Sequence, residues 1–199
     1  MSLSRSETGL LLACLALLLS ALLGPPVLQA NAHDFADVRM LGALPHARDV
    51  LSNLPFALAG ACGLFFVARV RPPLLDSPQR AWACLFFGGL LLTAAGSSWY
   101  HIAPDDFGLA VDRGAMGVAF AAFLALLATG RVSPRSGTAL GSTLLALAPA
   151  SVLVWFHTGN VLPWALLQFG GMALLLWVLA TTRPLPGALP VRWSLVLLT

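Results

Sequence analysis

Lysine is absent from this 199-residue sequence, and charged residues of every kind make up only 10% of it. A soluble domain ordinarily carries about 25% charged residues. A larger core cannot explain the deficit, because a chain this short must keep a polar surface. The arginines stand singly between apolar runs, which does not fit the basic patch of a nucleic-acid-binding protein. The sequence therefore predicts a lipid bilayer as its surroundings and no nucleic-acid partner.

Cysteine is also scarce, and no cysteine stands in a CxxC motif or at a Cys/His spacing typical of zinc sites. Each one lies within an apolar run. We therefore expect Cys14, Cys62 and Cys84 to be small buried hydrophobic residues. No soluble domain, internal repeat or low-complexity tract is visible in the chain.

Long apolar runs dominate what is present. Six of them approach the roughly 20 residues that a helix needs to cross a bilayer. They are Gly9–Leu28, Leu51–Val70, Ala81–His101, Leu109–Gly130, Gly137–Phe156 and Val161–Thr182. A seventh begins near Pro190 and stops at Thr199. The sequence predicts an all-α fold, a polytopic transmembrane helix bundle of six spans plus a truncated seventh.

The first run is open to two interpretations. Arg5, a leucine-rich stretch and Ala30-Asn31-Ala32 together imitate a signal peptide with its cleavage site. The run to Leu28 is nevertheless long enough to span, in spite of the Gly-Pro-Pro near its end, and we favour a retained helix. Residues 1–30 are therefore assigned to a signal-anchor or signal-peptide-like helix. Either interpretation leaves His33 outside the cytoplasm.

The arginines predict the orientation in the membrane. With the N-terminus in the cytoplasm, the inside segments hold eight of the eleven arginines. Six of the eight acidic residues and all four histidines then fall at the outer face. We expect a multi-pass protein of a bacterial inner membrane, with its titratable groups gathered at the periplasmic face.

The sharpest local feature of that face is the segment Gly96–His101, followed by Asp112. Ser97 and His101 are four residues apart, so on a helix their side chains share one face. The turn 103–108 brings Asp112 back beside them on the next, antiparallel helix. A carboxylate, an imidazole and a hydroxyl at membrane depth are costly unless they are paired or face a cavity, which makes a functional site the first hypothesis.

The same three residues have other interpretations. An interhelical hydrogen-bond cluster that caps the two helices would use them equally well. A Ser/His/Asp hydrolase triad is disfavoured, because no GxSxG elbow surrounds Ser97. A histidine metal ligand beside a hydroxyl, with a carboxylate acting as acid and base on a metal-bound water, fits the spacing better.

A second polar segment, residues 33–39, precedes the second span. Asp34 and Asp37, with Asp49 further along the chain, could supply oxygen ligands to Ca²⁺. The alternative is a solvated interfacial loop in which Asp49 caps the following helix. Asn53, at the top of that span, is expected to hydrogen-bond a neighbouring helix.

A third polar segment, His157–Asn160, lies between the fifth and sixth runs. It predicts a tight turn with Gly159 or Asn160 at positive φ, and His157 as a wet loop residue. The large aromatic residues near the outer face are expected to be interfacial belt anchors. They are Trp99, Tyr100, Trp155 and Trp164.

Four segments together resemble a known family. They are HDFADVR, DVLSNLPFALAG, GSSWYHIAPDDFGLAVDRGAM and WFHTGNVLPWALLQF. They resemble the bacterial branch of the alkaline ceramidase family, which belongs to a superfamily of seven-helix membrane hydrolases that includes the adiponectin-receptor-like proteins. The resemblance runs from His33 to about Thr182. It implies a ceramidase-like transmembrane domain over residues 31–199.

The resemblance also implies a reaction and its residues. His101 would be one of three histidine ligands of a catalytic Zn²⁺. Ser97 would hydrogen-bond the metal-bound water or the developing oxyanion, and Asp112 would orient that water and carry its proton. The substrate would be a ceramide-like membrane lipid, whose amide is hydrolysed to a sphingoid base and a fatty acid.

Eukaryotic relatives bind Ca²⁺ through an acidic N-terminal segment. By the resemblance, Asp34, Asp37 and Asp49 are the nearest counterparts in this sequence. Arg39 and His46 stand where oxygen ligands would be expected.

The sequence departs from the family where two further zinc ligands belong. The family carries them as an HxxxH pair in its last helix, and no HxxxH occurs in this sequence. A three-histidine site cannot be completed from His101 alone, and no spacing indicates that His33, His46 or His157 substitute. We therefore expect a C-terminally truncated ceramidase-like hydrolase. A non-catalytic protein that keeps the fold, and a hydrolase of another lipid amide or ester, are the alternatives.

Overall fold

A computed structural model describes residues 2–30, 32–35, 37–69, 75 and 77–186. These residues form helices and connecting turns, with no strand among them, so the predicted all-α bundle is confirmed. The predicted seventh segment, which begins near Pro190, lies outside the described residues. Arg71 and Asp76, both predicted to face the cytoplasm, lie outside them as well.

Six helical segments are long and apolar enough to cross a membrane. Each coincides with a predicted span, with boundaries that differ by a few residues. They are Arg5–Leu23, Ala47–Arg69, Ser77–Ile102, Asp106–Arg131, Pro134–Thr158 and Leu162–Thr181. In chain order the helices are α1 (Arg5–Leu23), α2 (Ala47–Leu51), α3 (Leu54–Arg69), α4 (Ser77–Ile102), α5 (Asp106–Arg131), α6 (Pro134–Thr158), α7 (Leu162–Ala165) and α8 (Gly171–Thr181).

Helix α1 begins at a capping box and ends before two prolines. The Ser4 hydroxyl accepts a hydrogen bond from the Glu7 amide at 3.2 Å, and the Glu7 carboxylate accepts one from the Ser4 amide at 2.9 Å. Both amides would otherwise be left free at the helix start. The helix ends at Leu23 and not at the predicted Leu28, because the Pro25-Pro26 pair disfavours helical geometry before it and removes amide donors.

Both ends of α1 are attached to the rest of the bundle. At its start, Glu7 accepts a hydrogen bond from the Ser133 hydroxyl at 2.7 Å. Further along, Leu10 is buried in an apolar cluster with residues of α5, α6 and α8. After the helix, the Val27 amide donates to Asn160 Oδ1 at 2.9 Å. Helix α1 and the described residues that follow it are therefore in contact with the rest of the bundle.

The second and sixth spans each contain a local interruption. Helix α2 gives way to α3 at Ser52–Asn53, where the Asn53 side chain donates to the Asp49 carbonyl at 3.1 Å. This bond lies within its own span, so the expected bond from Asn53 to a neighbouring helix is not found in the described residues. In the sixth span a π-helical turn, Leu166–Gly170, separates α7 from α8. Such wide turns are frequent at functional sites.

Helices α4 and α5 form the centre of the bundle, with α3 packed on one side and α6 on the other. Small residues allow the close approach. A Cβ added at Gly89 of α4 would lie only 2.7 Å from the Ala119 Cα of α5. Lipid provides no hydrophobic force between helices, so close packing through small residues is a main source of their association.

The two ends of the bundle differ in their polar residues. We call the end that holds residues 24–53, the α4–α5 turn and the α6–α7 turn the polar end. It contains all four histidines and the described acidic residues other than Glu7. The opposite end holds the described arginines that the sequence assigns to the inside: Arg5, Arg69, Arg80, Arg131, Arg135 and Arg183.

The expectation of buried cysteines is wrong. Cys62 and Cys84 are exposed on the bundle surface, and Cys14 is only half-buried. The outer surface of a membrane bundle faces lipid tails, which are as apolar as a protein core. A small apolar side chain therefore needs no burial inside the protein.

Candidate functional site

The site is assembled where α4 ends and α5 begins. Asp105 is the N-cap of α5, and its carboxylate accepts a hydrogen bond from the Gly108 amide at 2.5 Å. This cap fixes the turn that returns the chain antiparallel to α4. At Gly96 the two helices are close, since a Cβ there would lie 3.6 Å from the Asp112 Cα. Ser97, the next residue, therefore faces the start of α5.

Ser97 and Asp112 are both buried at this interface, with 9% and 8% of their surfaces exposed. The Ser97 side chain lies near enough to the Asp112 carboxyl group to interact with it. One carboxyl oxygen, Asp112 Oδ1, is buried and has no hydrogen-bond partner among the described residues. The structure thus brings together two of the three predicted site residues and leaves one carboxyl oxygen available to a further group.

His101, the third predicted residue, faces a different neighbour. Its Nδ1 lies 3.8 Å from Asp49 Oδ2, and its ring packs on Phe35 with centroids 4.7 Å apart. Within the described residues it forms no hydrogen bond or ion pair with Ser97 or Asp112, and Nδ1 is buried without a hydrogen bond. The reason is that the last turn of α4 also packs against α2.

Phe35 is the centre of an aromatic cluster at the polar end. Its ring centroid lies 4.9 Å from that of His46 and 5.3 Å from that of Tyr100, both in edge-on geometry. The Tyr100 hydroxyl donates to the Ala32 carbonyl at 2.8 Å. These contacts hold the segment before α2 against the end of α4, so that it covers His101.

Two further histidines are engaged in structural hydrogen bonds. His33 Nδ1 lies 3.0 Å from the Tyr100 hydroxyl, and its Nε2 lies 3.2 Å from Asp106 Oδ1. His46 Nδ1 bonds the Asp37 carbonyl oxygen at 2.7 Å. Both rings are thus held at the polar end, and His33 has both nitrogens occupied.

His157 is exposed at the end of α6, apart from the other histidines. Gly159 follows it at φ 72°, which confirms the predicted tight turn with a residue at positive φ. In the part of the chain that the structure describes, no three histidine, cysteine, aspartate or glutamate side chains are grouped so that they could hold a metal ion.

The three predicted Ca²⁺ ligands lie in three different environments. Asp34 is exposed. Asp37 Oδ2 accepts a hydrogen bond from the Arg48 backbone amide at 2.9 Å, and Asp49 faces His101. Asp37, and not Asp49, therefore caps the first turn of α2, which corrects the capping role expected for Asp49.

Arg113 is a candidate residue that sequence reasoning missed, because it was counted only as an outer charge. It is 6% exposed on α5, and it donates to Gln29 Oε1. Its guanidinium carbon lies 4.1 Å from the Trp155 ring centroid and 4.9 Å from that of Trp164. An arginine directly after Asp112 in an apolar run was the available signal, since charges within a span are rarely incidental.

The predicted aromatic belt is only partly correct. Trp99 is 49% exposed, as a belt residue should be, but Trp155 and Tyr100 are only 5% and 3% exposed. Trp155 faces α5 and packs on Arg113, and Tyr100 bonds the segment before α2. Both residues find polar partners inside the protein, and they therefore do not lie at the membrane interface.

Comparison with protein-family models, with curated proteins and with solved structures finds no match for this chain. The resemblance to the alkaline ceramidases therefore stays a prediction from the residues. What the fold itself supplies is a multi-pass helical bundle with two groups of buried polar atoms at its polar end, one around Asp112 and one around Arg113.

Proposed function

We propose that this chain is a lipid hydrolase of the alkaline ceramidase kind, set in a bacterial inner membrane. Its N-terminus is cytoplasmic and its polar end is periplasmic, an orientation supported by the arginines at the opposite end. The substrate is the amide bond of a ceramide-like lipid, which is split into a sphingoid base and a fatty acid. Such a lipid reaches the site from the bilayer itself.

The observation that carries the proposal is the buried Asp112 carboxyl group beside Ser97. A carboxyl group within a membrane span is costly unless it is paired or used. Here the carboxyl group interacts with the Ser97 side chain, and its Oδ1 is buried with no hydrogen-bond partner in the described residues. A reactive water or a substrate amide would supply the missing contact.

The chain's own residues support a general acid–base reaction. Asp112 takes a proton from a water molecule as the water oxygen adds to the amide carbon. The same proton then passes to the amide nitrogen as the carbon–nitrogen bond breaks, which releases an amine and a carboxylic acid. Ser97 holds the Asp112 carboxyl group in place during both transfers.

Zinc is the cofactor that the resemblance implies, and it would polarise the carbonyl group or activate the water. His101 Nδ1 is buried without a hydrogen bond in the described residues, which suits a ligand atom, and Asp49 Oδ2 lies 3.8 Å from it. The described residues do not fit a three-histidine centre, because His33 is occupied at both nitrogens and His157 stands apart. No step is therefore assigned to zinc. Metal analysis of the purified protein tests zinc and calcium together.

The incomplete ligand set favours a second candidate, a non-catalytic membrane protein that binds lipid through the same fold. A third candidate, a hydrolase of another lipid amide or ester, shares the residues of the main proposal. A panel of ceramides, N-acyl amino acids and esters separates these substrates.

Ceramide hydrolysis by the purified chain tests the proposal. Asp112→Asn should lower the rate by about 100-fold or more, because an acid–base role contributes at least that much. If metal analysis finds zinc in the purified chain, His101→Ala should lower the rate as well. His157→Ala is the matched control, since this histidine is exposed at the same end. It should leave the rate unchanged.

Retained hydrolysis in Asp112→Asn would remove the role given to that residue. A folded chain that contains no zinc and hydrolyses no lipid in the panel would establish the non-catalytic alternative. Hydrolysis of esters without hydrolysis of amides would show that the substrate is a lipid ester, with the same residues as the proposed site.

A further inference from the structure

A second group of buried polar atoms lies around Arg113, which follows Asp112 on α5. Three nitrogen atoms there are buried without a hydrogen-bond partner in the described residues: Arg113 Nη1, Trp164 Nε1 and Gln168 Nε2. All three are donors, and the guanidinium and indole nitrogens cannot accept a hydrogen bond. This group therefore needs a hydrogen-bond acceptor. At Asp112 the situation is reversed, because the unpartnered Oδ1 atom needs a hydrogen-bond donor.

Among the described residues, Arg113 has the Asp112 carboxyl group in its electrostatic surroundings but forms no ion pair with it. In the described residues no carboxylate lies within salt-bridge distance of its guanidinium, and its hydrogen bond goes to the neutral amide of Gln29. The faces of the Arg113 guanidinium pack on the Trp155 and Trp164 indoles. The N–H groups at its edge stay available for further hydrogen bonds. Burial of an arginine at 6% exposure without a paired anion is costly, so an anion is the complement that this site lacks.

The backbone brings the two other donors to the same side of the last span. Trp164 and Gln168 are four residues apart on the helical segment, so they are neighbours along one face. Gln168 lies in the π-helical turn Leu166–Gly170, a widening that re-aims side chains relative to a regular helix. The Trp164 ring is itself 4.9 Å from the Arg113 guanidinium carbon, which ties this face to Arg113.

An apolar groove borders the same segment. It has a volume of about 640 Å³ between α1, α6 and the last span, and its lining includes Pro163, Leu166 and Leu167. Lipid chains fit such a lining. The described lining of the groove includes none of the three donors. Because the donors lie in a membrane-spanning bundle, a ligand with an anionic head and an apolar tail suits both the donor group and the lipid around it.

We propose that Arg113, Trp164 and Gln168 bind the singly charged oxyanion of a membrane amphiphile. A single anionic charge is favoured because the site offers one cation. The oxyanion is the carboxylate of a fatty acid or the phosphodiester of an acidic lipid. This proposal is independent of the proposed hydrolysis, because it concerns equilibrium binding and a different set of side chains.

Binding to the purified full chain in a non-ionic detergent tests it. The probes are oleate, dioleoyl phosphatidylglycerol and, as neutral analogues, oleyl alcohol and dioleoylglycerol. Arg113→Gln should weaken binding of the anionic probe by about tenfold or more, and Trp164→Phe and Gln168→Leu by about three- to tenfold each. The controls Arg48→Gln and Trp99→Phe alter exposed residues at the same end and should bind as the unchanged chain does.

The anionic probes compete with each other, and the tighter one identifies the source of the oxyanion. Equal binding of oleate and oleyl alcohol would overturn the proposal, as would unchanged binding in both Trp164→Phe and Gln168→Leu, because water would then be the partner of the three donors. The last two variants keep the full charge of Arg113, so they decide the question even if Arg113→Gln does not fold.

Discussion

The polar side chains at the two ends of this bundle are hydrogen-bonded differently. At the opposite end, Arg131 donates to the Thr182 carbonyl at 2.9 Å, and Glu7 accepts from Ser133 and from the Ser4 amide. At the polar end, Asp112 and Arg113 each keep a buried atom without a hydrogen-bond partner in the described residues. Satisfied polar groups stabilise a fold, whereas unsatisfied ones lower its stability unless a ligand completes them.

Buried polar atoms without hydrogen-bond partners are the features of a structure that need an explanation. The end with more arginines is well explained by topology and helix capping. The polar end is less stable than it could be, and sites of binding or catalysis commonly show this trade-off. Three pairs of variants test this difference between the two ends of the bundle.

The largest effect on stability is expected from Gly137→Ala at the opposite end. Its Cβ would lie 2.0 Å from Thr129 Oγ1 and 2.7 Å from the Ala125 carbonyl oxygen, so α5 and α6 must shift. Overpacking of this kind costs about 1–3 kcal/mol. Unfolding by titration with a denaturing detergent measures the loss.

Gly96→Ala is the matched control at the polar end, where the nearest atom to the new Cβ is 3.4 Å away. It should change the free energy of unfolding by less than about 0.5 kcal/mol. Equal losses in the two variants would mean that the polar end is packed as tightly as the other, against the comparison drawn above.

The next effect contrasts two charged residues of α5. Arg131→Gln removes hydrogen bonds to the Leu179 and Thr182 carbonyls and should lower the free energy of unfolding by about 0.5–1.5 kcal/mol. Asp112→Asn should lower the free energy of unfolding by a smaller amount, or raise it, because the substitution removes a buried charge that has an unpartnered oxygen. If Asp112→Asn is the more destabilising of the two, Ser97 and Asp112 form a structural interhelical cluster and not a functional site.

The smallest effect on the bundle is expected from Glu7→Ala, which should change only the packing of α1. This change frees the start of α1 from Ser133 without disturbing the α4–α5 centre. Cys14 on α1 is half-buried, so it should react faster with a membrane-permeant maleimide in the variant. Cys62, already exposed, is the internal reference, and Thr8→Ala is the control. Unchanged labelling of Cys14 would show that α1 is held by its apolar contacts alone.

The sequence was sufficient for the spans, the tight turn at Gly159 and the meeting of Ser97 with Asp112. Span length follows from bilayer thickness, and a short turn between two spans forces antiparallel neighbours. These are local or one-dimensional properties. Residue type and spacing therefore predict them without knowledge of the packing.

His101 shows where that reasoning ends. Its shared face with Ser97 follows from the helical period, but the helix that covers this face does not. In the structure α5 covers Ser97, whereas Asp49 of α2 lies nearest to His101. The predicted three-residue site is thereby divided into a buried pair and a separate histidine.

Residue types alone predicted a helical membrane protein with its acids and histidines at one end. Hydrophobicity and charge are properties of single residues, so these features need no knowledge of the packing. Only the tertiary structure decided that Asp37 caps α2, that Trp155 leaves the belt and that Arg113 is buried between two indoles. In a membrane protein both the lipid-facing surface and the core are apolar, so the sequence does not tell which face of a helix is covered. Burial, and with it the choice of partners for each polar group, is fixed by the packing of the helices.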